Sequence, residues 1–166
     1  MTPHRIANLQ VATADDMHEL GLRLAALLRA GDLVVLVGPL GAGKTTLSRG
    51  IGEGLAVQGT VSSPTFVIAR THKRTDAAAP LVHVDAYRLS SVAEFDDLDI
   101  DFANSITLVE WGRGFAEGVV DGWLEVEISR EVGAVDMDAT AAEEDADDPR
   151  DVVITGFGER WVGVEL

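Results

Sequence analysis

Leu33-Val34-Val35-Leu36-Val37 is apolar at every position and is bounded by Asp32 and Gly38. A run without alternation predicts a strand buried on both faces, as in a parallel sheet covered by helices. Phe66-Val67-Ile68-Ala69 and Leu81-Val82-His83-Val84 predict two more strands, separated by a polar loop through Pro80. Ile106-Thr107-Leu108-Val109 is another buried run, ending at Glu110. Trp123 to Ile128 alternates apolar residues with glutamates, the mark of a half-exposed strand, and Arg5 to Ala12 alternates loosely as an opening strand.

Helical spacing appears twice. Met17, Leu20, Leu24, Leu27 and Leu28 recur on one face after Thr13-Ala14-Asp15-Asp16, where a hydroxyl can cap the first turn and acids face the dipole. Gly31 is the expected stop. Leu47, Ile51 and Leu55 place a second helix from near Lys44, frayed by Gly52, Gly54 and Gly59. Ser91 to Asp97 predicts a short third helix. Val152 to Thr155 and Trp161 to Val164 predict a closing hairpin around Gly156-Phe157-Gly158. The fold class is α/β: a mixed sheet with a parallel centre and antiparallel edge strands, and helices on both faces. Its 166 residues suit a single domain over 1–166.

Charge changes the picture at one place. Residues 131–151 carry nine acids against Arg150 alone, supplying −8 of a formal charge of −15. The expectation for this stretch is an acidic, mobile loop. So negative a chain repels a phosphate backbone, and the only basic cluster is His72-Lys73-Arg74, which argues against unaided nucleic-acid binding. With no cysteine there is no disulfide partner and no thiolate metal site. The first ten residues hold no secretory signal, and Leu33 to Leu40 is too short to span a bilayer, so no membrane partner and a cytoplasmic location are expected.

The chemistry begins where the first buried strand ends. Gly38-Pro39-Leu40-Gly41-Ala42-Gly43-Lys44-Thr45 matches G-x-x-x-x-G-K-[ST] without substitution and runs into a helix pattern through Thr46. Glycines let successive N–H groups converge on an anion, and the helix start adds unpaired donors and a favourable dipole. Lys44 then reaches the outer phosphates and Thr45 ligates magnesium, so Mg2+ and a nucleoside triphosphate are the expected ligands. By composition alone the pattern arises in roughly 1% of chains this long, before the strand and helix around it are counted.

A second magnesium anchor is expected on a neighbouring strand. Asp85 and Glu110 each follow a predicted strand and would emerge at the carboxyl edge beside the phosphate loop. Ser62-Ser63-Pro64-Thr65 reads first as turn chemistry and only second as a loop sensing a terminal phosphate. His83 reads as strand packing, His4 and His18 have no partner at ligand spacing, and Trp111 and Trp123 read as core or edge packing. Arg88 and Arg113 read as surface residues.

Together, Gly38 to Thr46, Ser63-Pro64-Thr65-Phe66, His83-Val84-Asp85-Ala86-Tyr87-Arg88-Leu89 and Val109-Glu110-Trp111-Gly112 resemble the motifs of the TsaE (YjeE) family, in order, over residues 38–112. The resemblance implies a compact P-loop NTPase domain and slow ATP hydrolysis. It also implies a partnership with TsaB and TsaD, which carry out threonylcarbamoyladenosine modification of tRNA; tRNA would be met only through that complex. By motif, Lys44 and Thr45 hold phosphate and magnesium, Asp85 assists the metal, Glu110 serves metal or water, and Thr65 senses phosphate. The acidic stretch 131–151 is longer than the family leads one to expect.

Two other classes fit less well. A regulatory GTPase would carry N-K-x-D and D-x-x-G, and neither is found. A small-molecule or nucleotide kinase usually clamps two substrates with arginines on a closing lid, whereas the long loop here is acidic. The expected catalytic set is Lys44, Asp85, Glu110 and Thr65.

Overall fold

A computed structural model of the chain describes residues 2–39, 41–61, 68–130 and 149–166. Leu40, the Ser62 to Thr65 loop, Phe66, Val67 and residues 131–148 of the acidic stretch lie outside the described residues. Strands β1 (Pro3–Val11), β2 (Leu33–Val37), β3 (Ala69–His72), β4 (Leu81–Asp85), β5 (Ile106–Glu110), β6 (Trp123–Arg130) and β7 (Arg150–Phe157) form one sheet in the order β1-β7-β6-β2-β5-β4-β3. The centre β6-β2-β5-β4 is parallel. The flanks pair antiparallel: β7 with β6 and β1 on one side, β3 with β4 on the other.

Alternation along these strands divides the core in two. Val34, Leu36, Ile106, Leu108, Val126 and Ile128 pack with Met17, Leu20 and Leu24 of α1 (Ala14–Leu27) and Leu47 and Ile51 of α2 (Lys44–Gly54). Leu33, Val35, Val84 and Val109 face the other way, against Phe95 of the short α3 (Val92–Asp96) and Trp123. Helices therefore cover both faces, as the unalternating runs require. Thr13 Oγ1 accepts from the Asp16 amide at the head of α1, and Ser91 caps α3 from Glu94.

Three expectations need correcting. The predicted closing hairpin is absent: β7 continues from Arg150 to Phe157 and pairs on both sides, while Trp161 ends a single 3-10 turn, Glu159–Trp161, and is buried in the α1–α2 core. Arg150 and Asp151, assigned to the acidic loop, begin that strand. Of the strand expected at Phe66 to Ala69, Phe66 and Val67 lie outside the described residues, and Ala69 begins the strand Ala69–His72. The α1 helix also stops at Leu27, before the expected glycine.

The two long helices touch backbone to backbone. A methyl at Gly21 would lie 2.5 Å from the Leu47 carbonyl oxygen, and one at Gly50 would strike the His18 carbonyl. Since α2 continues the glycine-rich loop that starts at Gly38, this contact fixes where the loop points. Gly50→Ala is expected to lower the unfolding free energy by about 2 kcal/mol, because overpacking outweighs the ~1 kcal/mol of helix propensity that alanine gains. Urea unfolding tests it; unchanged or increased stability would mean the helices are not in such close contact.

Candidate functional site

Strand β2 ends at Val37, and the chain turns through Gly38 and Pro39 before entering α2. Gly38 leaves no room for a side chain: a methyl there would sit 2.7 Å from the Ile128 carbonyl oxygen of β6. Gly43, the N-cap of α2, has φ 107°, a left-handed conformation that glycine adopts without strain, and no side chain caps the helix. The first N–H groups of α2 therefore have no intrahelical acceptor and point along the helix axis toward the loop. An anion is the partner such an end favours.

Lys44 is buried and folds back over this loop. Its Nζ donates to the carbonyl oxygens of Gly38 and Pro39, the latter at 3.1 Å. Burial pulls its pKa below the ordinary lysine range, and the nearby carboxylates of Glu110 and Asp85 oppose that shift. Both carboxylates come from the strand ends predicted for them. Asp85 and Glu110 are register partners across β4 and β5, and alternation puts them with Leu81 and Leu108 on the α1–α2 side of the sheet. Lys44, Asp85 and Glu110 thus form one charged cluster at the carboxyl edge.

Asp85 Oδ1 accepts from the Tyr87 amide, which orients the carboxylate. Glu110 is buried, and its Oε2 lies 3.2 Å from Nε2 of the fully buried His83. That approach is off the line of a hydrogen bond, and neither ring nitrogen of His83 has a hydrogen-bond partner among the described residues. His83 is a strand residue, as expected, but it stands against a candidate catalytic carboxylate.

Trp111 does more than pack at the sheet edge. Expected as core or edge packing, it follows Glu110 with φ 61°, a conformation uncommon for a bulky side chain and concentrated at functional sites. Its ring lies under the Lys44 ammonium, 3.8 Å from Nζ to the centroid, with Tyr87 edge-on at 5.3 Å. Tyr87 itself is 71% exposed. Periodicity could not reveal this contact; the one available signal was a tryptophan directly after a strand-terminal acid. Trp123, by contrast, is buried and stacks on Phe157 as core.

Arg113, Arg74 and His18 are not in the cluster. Arg113 is held by Glu125 at 2.8 Å and Glu127 at 2.9 Å. Arg74, from the small basic cluster, donates to the Leu55 carbonyl at the end of α2 and to Asp76. His18 pairs with Glu53. Thr65 and Leu40 lie outside the described residues. A cleft of about 480 Å³ lined by Asp32, Phe102, Asp121 and Arg160 opens at the amino-terminal edge of β2, away from this chemistry.

Among the described residues no three His, Asp or Glu side chains gather as a self-sufficient metal site. That donor set still suits magnesium, which keeps several waters and takes one or two carboxylates together with phosphate oxygens. Thr45 at the head of α2, Asp85 and Glu110 are the oxygen donors available for it.

Comparison with known proteins gives the family. The family described as Threonylcarbamoyl adenosine biosynthesis protein TsaE matches residues 11–137. The chain belongs to the TsaE family. It is 53% identical over 153 residues to the tRNA threonylcarbamoyladenosine biosynthesis protein TsaE of Streptomyces coelicolor, covering 90% of this chain and 97% of that one. The Bacillus subtilis protein of the same name is 35% identical over 138 residues, covering 82% and 77%. The crystal structure of Bacillus subtilis YdiB superposes with a TM-score of 0.68 at 26% identity, over 98% of this chain and 92% of that one. This TsaE-family sheet, parallel at its centre and antiparallel at its edges, is therefore also the arrangement of a solved structure. No helix among the described residues is long and apolar enough to cross a membrane.

Proposed function

We propose that the chain binds Mg–ATP at residues 38–46 and hydrolyses it slowly, as the nucleotide-driven subunit of the TsaB and TsaD machinery that modifies tRNA with threonylcarbamoyl. The observation that carries this reading is the Lys44–Asp85–Glu110 cluster, set against an uncapped helix start at the end of a buried strand. On binding, the N–H groups of residues 41–46 close around the inner phosphates. Lys44 exchanges the carbonyls of Gly38 and Pro39 for outer phosphate oxygens, its ammonium staying over the Trp111 face. Magnesium, held through Thr45 and Asp85, would neutralise charge between the terminal phosphates.

Glu110, buried beside that cluster, orients a water and takes its proton as the water oxygen attacks the terminal phosphorus. The bond to the bridging oxygen breaks, releasing phosphate and leaving ADP. Arg113 is occupied by Glu125 and Glu127, so transition-state charge lacks one evident arginine, which accounts for a slow intrinsic rate. Contact with tRNA would come only through the partners, given the net charge of −15, and a cytoplasmic location follows from that role.

Co-purification with TsaB and TsaD, with and without Mg–ATP, tests the role in the assembly. Retention that depends on nucleotide is the expected result. Association that ignores nucleotide, or none at all, would contradict it and favour a P-loop kinase acting on a small molecule.

A further inference from the structure

On the side of β2 away from Asp85 and Glu110, two arginines face each other. Arg130 ends β6, Arg150 begins β7, and they are direct register partners. Alternation points both toward the α1–α2 side, with Ile128 and Val152. Arg150 is buried and its Nη2 lies 3.4 Å from the carbonyl oxygen of Gly41 in the phosphate loop. Arg130 has Nε and Nη2 buried with no hydrogen-bond partner among the described residues. Buried guanidinium donors are costly without acceptors, and those of Arg130 lie next to the strand partner that reaches the loop. Cationic donors of Arg130 left over beside a loop of this kind suit an anion.

Strand order says which anion. The carboxylates on β4 and β5 lie to one side of the loop, so a metal-bound terminal phosphate belongs there. A polyphosphate crossing the loop then leaves on the β6–β7 side. We propose that Arg130 and Arg150 grip the nucleoside-proximal phosphate of the bound nucleotide and so anchor its inner end. This rests on the nucleotide-binding reading above.

The test is titration of the full chain with Mg–ADP and Mg–ATP, comparing wild type with Arg130→Gln, Arg150→Gln and the charge-retaining Arg130→Lys. Arg130→Gln should weaken both nucleotides by the same factor, about tenfold or more, since both carry the inner phosphate. Arg130→Lys should lose less. Without nucleotide, Arg130→Gln should melt at or above the wild-type temperature because the Nε and Nη2 it removes have no acceptor among the described residues. Unchanged affinity for both nucleotides, a loss confined to ATP, or a lowered melting temperature with intact binding would each overturn the proposal. Should Arg130→Gln and Arg150→Gln fail to fold, Arg130→Lys decides: wild-type affinity in it overturns the grip. Absence of nucleotide binding in wild type would be a failure of the broader reading and is seen separately.

Discussion

Lys44→Ala is expected to abolish measurable Mg–ATP binding, an affinity loss of roughly a hundredfold or more, because charge-assisted bonds to two phosphates vanish together. The effect on the empty protein should be small. The ammonium is disfavoured by burial and favoured by Glu110 and Asp85, and those contributions oppose each other. A melting temperature close to wild type without nucleotide, combined with no stabilisation on adding Mg–ATP, would separate loss of the site from loss of the fold. Wild-type affinity in Lys44→Ala would remove the basis for the phosphate-loop assignment.

Glu110→Gln is expected to lower the rate of ATP hydrolysis by about a hundredfold or more while leaving Mg–ATP affinity within severalfold of wild type. Glutamine preserves the shape beside His83 but cannot take a proton from water, so the change isolates the base from the packing. Asp85→Ala should also slow hydrolysis more than it weakens binding, with a raised magnesium requirement, since Asp85 is assigned to the metal. Single-turnover phosphate release measured at saturating ATP separates the two. A Glu110→Gln rate equal to wild type would mean that another group activates the water.

The candidate site was readable in the sequence to the extent that it is made of chain-local patterns. Glycine spacing fixes a loop, an unbroken apolar run fixes a buried strand, and an acid at the end of such a run must emerge at the carboxyl edge. Lys44, Asp85 and Glu110 meet because all three follow from those patterns. Residues that act across the sheet were not legible. Trp111 reaches Lys44 only because the backbone takes a positive φ after β5, and nothing in the local pattern encodes that turn. Arg130 and Arg150 become neighbours only through the antiparallel register of β6 and β7, whose connection is a long acidic stretch that hides the strand start.

The fold shows the same division. Strands β2, β4 and β5 and helices α1 and α2 were legible from periodicity. The closing hairpin was misread because Gly156-Phe157-Gly158 looks like a turn between two short apolar runs. In the folded chain, Gly156 instead continues β7, where a side chain would collide with the Trp161 ring. Close packing, not turn chemistry, selects that glycine.

Equilibrium dialysis of the intact chain against labelled ATP tests the central claim most directly, with magnesium present or chelated. The expected result is one nucleotide retained per chain, with retention strongly reduced when magnesium is removed. No retention in either condition by a chain shown to be folded would contradict the account.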